Sequence, residues 1–182
     1  MHWLLVAASA AAVGFFAAGL TLYFEKAPRP LWVLALHYLS MVLVLGEFLG
    51  VVFLPTRSDP WVASAIVMYA AAMAIFLSSI EAAKRTRLQR SFVDHPLPDR
   101  LISDGPYKWI RHPFCTGYLL GALAGPAGID HPVMFLIAAP LAAMSVFAAV
   151  REERVWLSGP RAGEYRDYRR RTGMFLPFIG RG

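Results

Sequence analysis

Long apolar runs separated by short polar connections dominate the chain. Five such runs stand out: 3–23, 31–54, 61–80, 113–129 and 133–150. A helix crosses the hydrocarbon core of a bilayer with about 20 apolar residues, and the first three runs reach this length. The last two are shorter, and only the polar turn 130–132 separates them, which indicates a tight helical hairpin. The pattern predicts an all-α integral membrane protein with about five transmembrane helices.

The composition supports this prediction. Hydrophobic residues make up 57% of the 182 residues and charged residues only 16%, with a mean hydropathy of +0.48. A soluble domain carries about 25% charged residues, and a disordered chain has low hydrophobicity, so both classes are excluded. The single cysteine excludes a disulfide scaffold. We expect one membrane domain over residues 1–182, in which 1–83 forms three N-terminal spans and 84–182 forms the motif-bearing half.

Positive charge is concentrated in the second half. Residues 1–83 hold three Lys or Arg against four Asp or Glu, whereas residues 84–182 hold fifteen against eight. Basic connections favour the cytoplasmic side of a membrane, so the expected partner is anionic lipid rather than nucleic acid. The basic segments predict a multi-pass protein with its N-terminus outside and its C-terminus in the cytoplasm. Within the tail, residues 161–173 predict a short helix that lies on the membrane interface.

Small and polar residues interrupt the apolar runs at informative places. Gly117, Gly121 and Gly125 recur every four residues, so they share one helix face and predict close approach of a neighbouring helix. This face is compatible with a homodimer, and it would also leave room for a ligand. Glu47 lies inside the second run, where a lone carboxylate is costly. We expect Glu47 to contact another helix, for example through a hydroxyl.

Two polar segments flank the last hairpin and carry the candidate chemistry. In the first, 99–113, Pro113 suits the first position of a helix and His112 suits its cap. The free N–H groups at such a helix start would bind a carboxylate or phosphate. The hairpin returns the second segment, 151–154 with the sequence REER, to the depth of His112. No nucleotide-binding or hydrolase motif is present, and no histidine has a partner at metal-ligand spacing, so no metal is expected.

Three stretches resemble a known group of membrane enzymes. They are GPYKWIRHPFCTGYLL from residue 105, REER from residue 151 and GEYRDYRRRTGMFLPFI from residue 163. Over about residues 92–179 the chain resembles the isoprenylcysteine carboxyl methyltransferase and phospholipid methyltransferase group. The resemblance implies S-adenosylmethionine as the cofactor, bound in a pocket that faces the cytoplasm and has no Rossmann domain.

The resemblance also implies a set of site residues. The implied cofactor contacts are Arg100, Leu101, Ile102, Tyr107, His112, Pro113, Phe114, Cys115 and Glu153. The cofactor has a carboxylate, which Arg100 or His112 would bind, and an ammonium, which suits Glu153. The π faces of Tyr107 and Phe114 would suit its sulfonium or adenine.

The chain departs from the prenylcysteine enzymes where those enzymes read their substrate. Ala149 stands where they have an arginine that orients the substrate carboxylate. Three other family positions also differ: Phe92, Asp99 and Cys115. We therefore expect a lipophilic or amphiphilic acceptor other than a farnesylated protein, with Arg151 and Arg154 as the substrate contacts.

The implied reaction is direct methyl transfer at the membrane interface. The enzyme would position the reactants and exclude water. An amine or phenol acceptor would need a general base to remove its proton, and Glu153 and His112 are the catalytic candidates for that role. A thiolate or carboxylate acceptor would need little help from a base.

Two other functions fit parts of the sequence. A membrane sterol or enone reductase that uses NADPH shares a related C-terminal half, but such enzymes are usually longer. A non-catalytic lipid-binding or assembly protein would keep the spans, but it has no need for the clustered Tyr107, His112 and Glu153.

Overall fold

The structure, a computed structural model, describes residues 1–22, 30–83 and 101–177. These parts of the chain are helical and contain no strand longer than an isolated bridge, which confirms the predicted all-α class. The helices are α1 His2–Leu22, α2 Leu31–Phe53, α3 Asp59–Ala83, α4 Pro113–Gly128, α5 Val133–Ser158 and α6 Ala162–Arg171, with a short 3₁₀ helix at Gly105–Lys108.

Four of these helices are long and apolar enough to cross a membrane: α1, α2, α3 and α5. They agree with four of the predicted runs, and the chain is a multi-pass membrane protein. The helix α4 has 16 residues, fewer than the about 17–25 of a usual span. It nevertheless begins beside the charged turn of α5 and ends beside the α2–α3 connection, so it runs between the same two ends as its neighbours.

Polar contacts close the end of the bundle where α2 and α4 finish. The Arg57 N–H donates to the Gly128 carbonyl at 2.9 Å, and the Arg57 guanidinium lies 3.6 Å from Asp130. At the same end, Nε2 of His2 lies 2.9 Å from the Val51 carbonyl oxygen. The helices α1 to α5 therefore run in alternating directions, and the charged turn that follows the apolar part of α5 lies at the opposite end.

The glycine face of α4 lies in the centre of the bundle. Gly117 faces the backbone of Ala72 in α3, where an added Cβ would lie 3.1 Å from the carbonyl oxygen. At Gly121 and Gly125 an added Cβ would lie 3.1 Å from a side chain of α1 and 2.7 Å from one of α2. The predicted close approach is confirmed, and the neighbours are α1, α2 and α3 together with the hairpin partner α5, whose Met134 would lie 2.7 Å from a Cβ at Gly125. Because this face is covered within one chain, it offers no surface to a second copy.

An aromatic cluster around Phe76 joins α1, α3 and α4. Phe76 is completely buried. Four rings lie edge-on to it with centroids between 5.0 and 5.8 Å away: Phe15, Phe16, Phe114 and Tyr118. Edge-to-face pairs of this kind add about 0.5–1.5 kcal/mol beyond their burial. The cluster fixes the depth of α4 relative to α3 and, with it, the position of the α4 start.

Glu47 is paired inside the bundle, as expected because an unpaired carboxylate is unfavourable inside a membrane. It is 6% exposed, and the Tyr69 hydroxyl of α3 donates to its Oε1 at 3.5 Å. The predicted contact with a hydroxyl of another helix is confirmed. This pair lies in the half of the bundle away from the charged turn.

Two glycines of α1 provide a matched test of the packing. A methyl group added at Gly19 would overlap the Phe76 ring, whereas at Gly14 it would meet no atom within 4 Å. We expect Gly19→Ala to lower the free energy of unfolding by about 1–3 kcal/mol, because overpacking costs this much. Gly14→Ala should leave the free energy of unfolding unchanged or raise it by up to about 1 kcal/mol, because alanine has a higher helix propensity than glycine. Thermal unfolding in detergent measures both, and equal stabilities would contradict the α1–α3 contact.

Candidate active site

The start of α4 carries the first part of the site. Pro113 occupies the first turn, where its fixed φ fits a helix and its missing N–H costs nothing, and His112 is the cap residue. The predicted helix start is confirmed. His112 is 4% exposed, and its carbonyl accepts a hydrogen bond from the Thr116 N–H at 2.9 Å. The imidazole is therefore held at a defined place beside α5.

Glu153 is the centre of the site. This carboxylate is 7% exposed at the charged end of α5. Its Oε1 accepts from Arg111 Nε at 2.7 Å and lies 3.3 Å from His112 Nε2, while its Oε2 lies 3.3 Å from Arg169 Nε. A buried carboxylate without such partners would be strongly unfavourable. The structure thus brings together the two predicted catalytic candidates, His112 and Glu153.

Arg111 and Arg169 complete the network, although the sequence did not assign them a role. Arg111 directly precedes His112 in the segment from residue 105 that resembles the methyltransferases. This position is a signal that could have pointed to Arg111 as a site residue. Arg169 is the first of three consecutive arginines. It lies four residues after the buried Tyr165, and only this spacing distinguishes it in the sequence from Arg170 and Arg171. By contrast, the side chain of Arg170 is 80% exposed.

The chain after α6 folds back over the start of α4; we call residues 172–175 the tail segment. The Arg111 N–H donates to the Gly173 carbonyl at 2.8 Å, and the His112 N–H donates to Met174 at 3.2 Å. The Thr116 hydroxyl donates to the Phe175 carbonyl at 2.9 Å. The Arg111 guanidinium also donates to the Thr172 carbonyl. The tail segment therefore covers the Glu153 network.

An aromatic layer holds α6 against α5. Tyr165 stacks on Trp156 with 5.5 Å between ring centroids, and the Tyr168 hydroxyl donates to the Tyr107 carbonyl at 2.7 Å. Leu101 packs against the same rings. Burial, and then the negative charges of Glu153 and Glu152, raise the pKa of the Tyr165 phenol above its usual value. The predicted tail helix is present as α6, and its buried face lies on protein.

The other implied cofactor residues have different surroundings. Pro113 and Cys115 are buried in the first turn of α4, where Phe114 packs against Phe76. Ile102 and Tyr107 are half-buried before that helix. The implied contact Arg100 and the divergent positions Phe92 and Asp99 lie outside the described residues.

Arg151 and Arg154 lie on a different face of α5 from Glu153. They line a groove toward α2, and the Arg151 guanidinium lies 5.0 Å from the centre of the Trp32 ring. The structure does not bring them together with His112 and Glu153. Their predicted contact with the methyl acceptor stays a prediction, and the geometry assigns them to another environment.

Comparison with known proteins shows the family to which the chain belongs. The family model for phospholipid methyltransferase matches residues 60–159, more than half of the chain. The chain therefore belongs to the phospholipid methyltransferase family, a class of membrane methyltransferases. It is also similar to the methanethiol S-methyltransferase of Mycobacterium tuberculosis (strain ATCC 25618 / H37Rv), with 32% identity over 72 residues. That alignment covers 40% of this chain and 28% of the relative.

The buried tyrosines predict a loss of stability at alkaline pH. The pKa values of Tyr165 and Tyr168 are raised by burial above the usual value of 10.0, so the folded protein binds more protons than the unfolded chain at higher pH. The contribution of these two tyrosines to the free energy of unfolding is fully present below pH 10. Above pH 10 it falls by up to about 1.4 kcal/mol per pH unit for each tyrosine. Thermal unfolding as a function of pH measures this decline.

Tyr165→Phe keeps the ring stack but removes one ionisable group, so the decline above pH 10 should become shallower. The same slope in Tyr165→Phe and in the wild type would contradict the burial of this phenol.

Proposed function

We propose that this protein transfers a methyl group from S-adenosylmethionine to a small lipophilic acceptor at the cytoplasmic face of a membrane. One observation carries the proposal: the buried Glu153 network assembles His112, Arg111 and Arg169 around one carboxylate. Three of these four residues lie within the span that matches the methyltransferase family. Paired charges under a covering segment suit a polar ligand with charges of both signs.

The donor set fits the charges of S-adenosylmethionine. This cofactor supplies a methyl group on a sulfonium, activated toward nucleophiles, and also carries an ammonium, a carboxylate and adenosine. Glu153 and Glu152 offer carboxylates for the ammonium, and Arg111 or Arg169 offers a guanidinium for the carboxylate. The π face of Tyr107 suits the sulfonium or adenine. We further assign Leu101, Ile102 and Arg100 to the same pocket, on the resemblance alone.

Residues of the first turn of α4 have a positioning role in this proposal. Pro113 sets the direction of the helix, and Phe114 anchors it against Phe76. Cys115 is buried beside them. They hold His112 in place against Glu153, which explains how a motif with few polar side chains serves the site.

His112 and Glu153 are the candidates for proton transfer. Nε2 of His112 lies 3.3 Å from Glu153, and Nδ1 lies 3.8 Å from Glu152. An imidazole between two carboxylates can take a proton from an acceptor and remain stabilised. The tail segment excludes water, which protects the electrostatic contacts.

Replacing the central carboxylate tests the cofactor site. Glu153→Gln should weaken S-adenosylmethionine binding about tenfold or more, because a hydrogen bond to a charged group contributes about 1.5–3 kcal/mol. The measurement is thermal unfolding in detergent with S-adenosylmethionine, S-adenosylhomocysteine and NADPH added separately. A ligand at about 100 times its Kd adds about 2.7 kcal/mol. The control Glu164→Gln changes a carboxylate whose side chain is 55% exposed and should keep the full shift.

Each other outcome contradicts a definite part of the proposal. Full affinity in Glu153→Gln, with an unchanged unfolding temperature without ligand, would remove Glu153 from the site. A shift with NADPH alone would favour a reductase. No shift with any of the three would favour a non-catalytic membrane protein.

The burial of the site favours a small acceptor. His112 and Glu153 are almost fully covered, so a large lipid headgroup would have to displace the tail segment. The similar relative is named for methanethiol. We therefore propose an uncharged alkyl thiol, which partitions into the bilayer and becomes a strong nucleophile when it gives its proton to His112.

An acceptor panel tests this choice. Purified protein with labelled S-adenosylmethionine should methylate a short alkanethiol to the thioether at least tenfold faster than it methylates phosphatidylethanolamine in vesicles. Product mass analysis measures both, and Glu153→Gln is the matched control for background transfer. Methylation of the phospholipid alone would overturn the thiol assignment and leave the cofactor assignment intact.

A further inference from the structure

The tail segment closes the candidate active site from one side, and it is only partly buried. Residues 173–175 are half-buried, and the next residue, Leu176, is 75% exposed. Beneath them, His112 and Glu153 are only 4% and 7% exposed, so a ligand reaches these side chains only when a covering element moves. Buried rings anchor the start of α4 at Phe76 and hold α6 on α5. The tail segment is therefore the covering element whose movement would cost little apolar packing.

Main-chain hydrogen bonds pair the tail segment with the residues before α4. The Arg111 N–H donates to the Gly173 carbonyl at 2.8 Å, and the Gly173 N–H donates to the Trp109 carbonyl at 3.0 Å. The His112 N–H donates to the Met174 carbonyl at 3.2 Å. Because the segment is half-buried, water can replace these partners when the segment leaves. The bonds therefore fix the register of the tail segment and still allow it to move.

The Thr116 side chain adds a contact of a different kind. It is 5% exposed, and its hydroxyl lies 2.9 Å from the Phe175 carbonyl oxygen and 3.2 Å from the His112 carbonyl oxygen in its own helix. A hydroxyl has one hydrogen to donate. When the tail segment is in place, that hydrogen binds Phe175. When the segment leaves, the hydroxyl turns to His112, so no buried donor is left unpaired.

The end of α6 is fixed independently of residues 173–175. Thr172 is 3% exposed, and its hydroxyl donates to the Tyr168 carbonyl in the last turn of α6 at 2.7 Å. The Thr172 carbonyl accepts a hydrogen bond from the Arg111 guanidinium. The next residue, Gly173, has no side chain and adopts a wide range of backbone dihedral angles. The boundary between the fixed helix end and the movable part of the tail segment therefore lies at Gly173.

We propose that Thr116 is a positioning residue whose hydroxyl holds residues 173–175 closed over the Glu153 network. These residues turn away at Gly173 to admit a ligand, and they return when the ligand is bound. Thr116 acts through the tail segment rather than on a reacting atom. Closure by Thr116 does not depend on methyl transfer, whereas the identity of the admitted ligand as S-adenosylmethionine rests on the proposed function.

Amide hydrogen exchange of the purified protein in detergent, without any ligand, tests closure. In the wild type we expect the amides of residues 173–176 to exchange faster than those of α4, because they are released without unfolding of the bundle. Thr116→Val keeps the shape of the side chain and removes the hydroxyl. It should speed the exchange of residues 173–176 about two- to tenfold, the effect of one net hydrogen bond. Thr116→Ser should keep the wild-type rate.

The matched control is Thr56→Val, which makes the same change in a half-buried threonine at the other end of the bundle. It should leave the exchange of residues 173–176 unchanged. An unchanged rate in Thr116→Val would overturn the role of the hydroxyl, and equal acceleration in Thr116→Ser would overturn it too, because the methyl group would then be responsible. If Thr116→Val does not fold, Thr116→Cys replaces the hydroxyl with a weaker donor and should also accelerate exchange. Wild-type exchange of residues 173–176 as slow as that of α4 would overturn the movement itself.

S-adenosylhomocysteine tests which ligand the tail segment admits. It should slow the exchange of residues 173–176 in the wild type, and Thr116→Val should release it about two- to tenfold faster than Thr56→Val does. The KM for S-adenosylmethionine should rise in Thr116→Val while kcat is retained, a split that a general loss of stability does not produce. Binding that leaves the exchange of residues 173–176 unchanged would overturn the gating. If S-adenosylhomocysteine does not bind at all, the proposed function fails, whereas exchange in the ligand-free protein still decides closure by Thr116.

Discussion

A carboxylate that is almost completely buried has to be neutralised where it lies, and this constraint organises the charged end of the protein. Glu153 is met by Arg111 from the segment before α4 and by Arg169 from α6, so three parts of the chain must converge. Arg111 also donates to carbonyl oxygens of Arg169 and Thr172, which ties the tail to the same centre. The path of the tail over the site is thus a consequence of burying one charge.

The short helix α4 makes this convergence possible. Its glycines let it lie against the backbone of α3, with Gly117 facing the Ala72 carbonyl, and the rings around Phe76 fix its depth. A side chain larger than hydrogen at Gly117 would push the whole helix away. Since His112 caps α4, a shift of the helix moves the imidazole away from Glu153. Packing in the apolar interior therefore determines geometry at the polar boundary.

The sequence predicted what local rules and the bilayer determine. Apolar runs located the long helices because a membrane admits only backbone that is hydrogen-bonded internally, and Pro113 marked a helix start by its fixed φ. The Arg111–Glu153 pair and the tail segment join positions 42 and about 60 residues apart, and no local pattern specifies such contacts. Arg151 is a different case. It lies two residues before Glu153, which corresponds to about 200° around a helix, so closeness in sequence does not bring these two side chains together.

The turn 151–154 therefore divides four adjacent charges between two environments. Its carboxylates face His112, and its arginines face the groove beside Trp32. A rotation of α5 that brought the arginines to the active site would withdraw Glu153 from Arg111 and Arg169 and leave three charges unpaired. The packing of α5 in this fold therefore depends on keeping Glu153 beside Arg111 and Arg169.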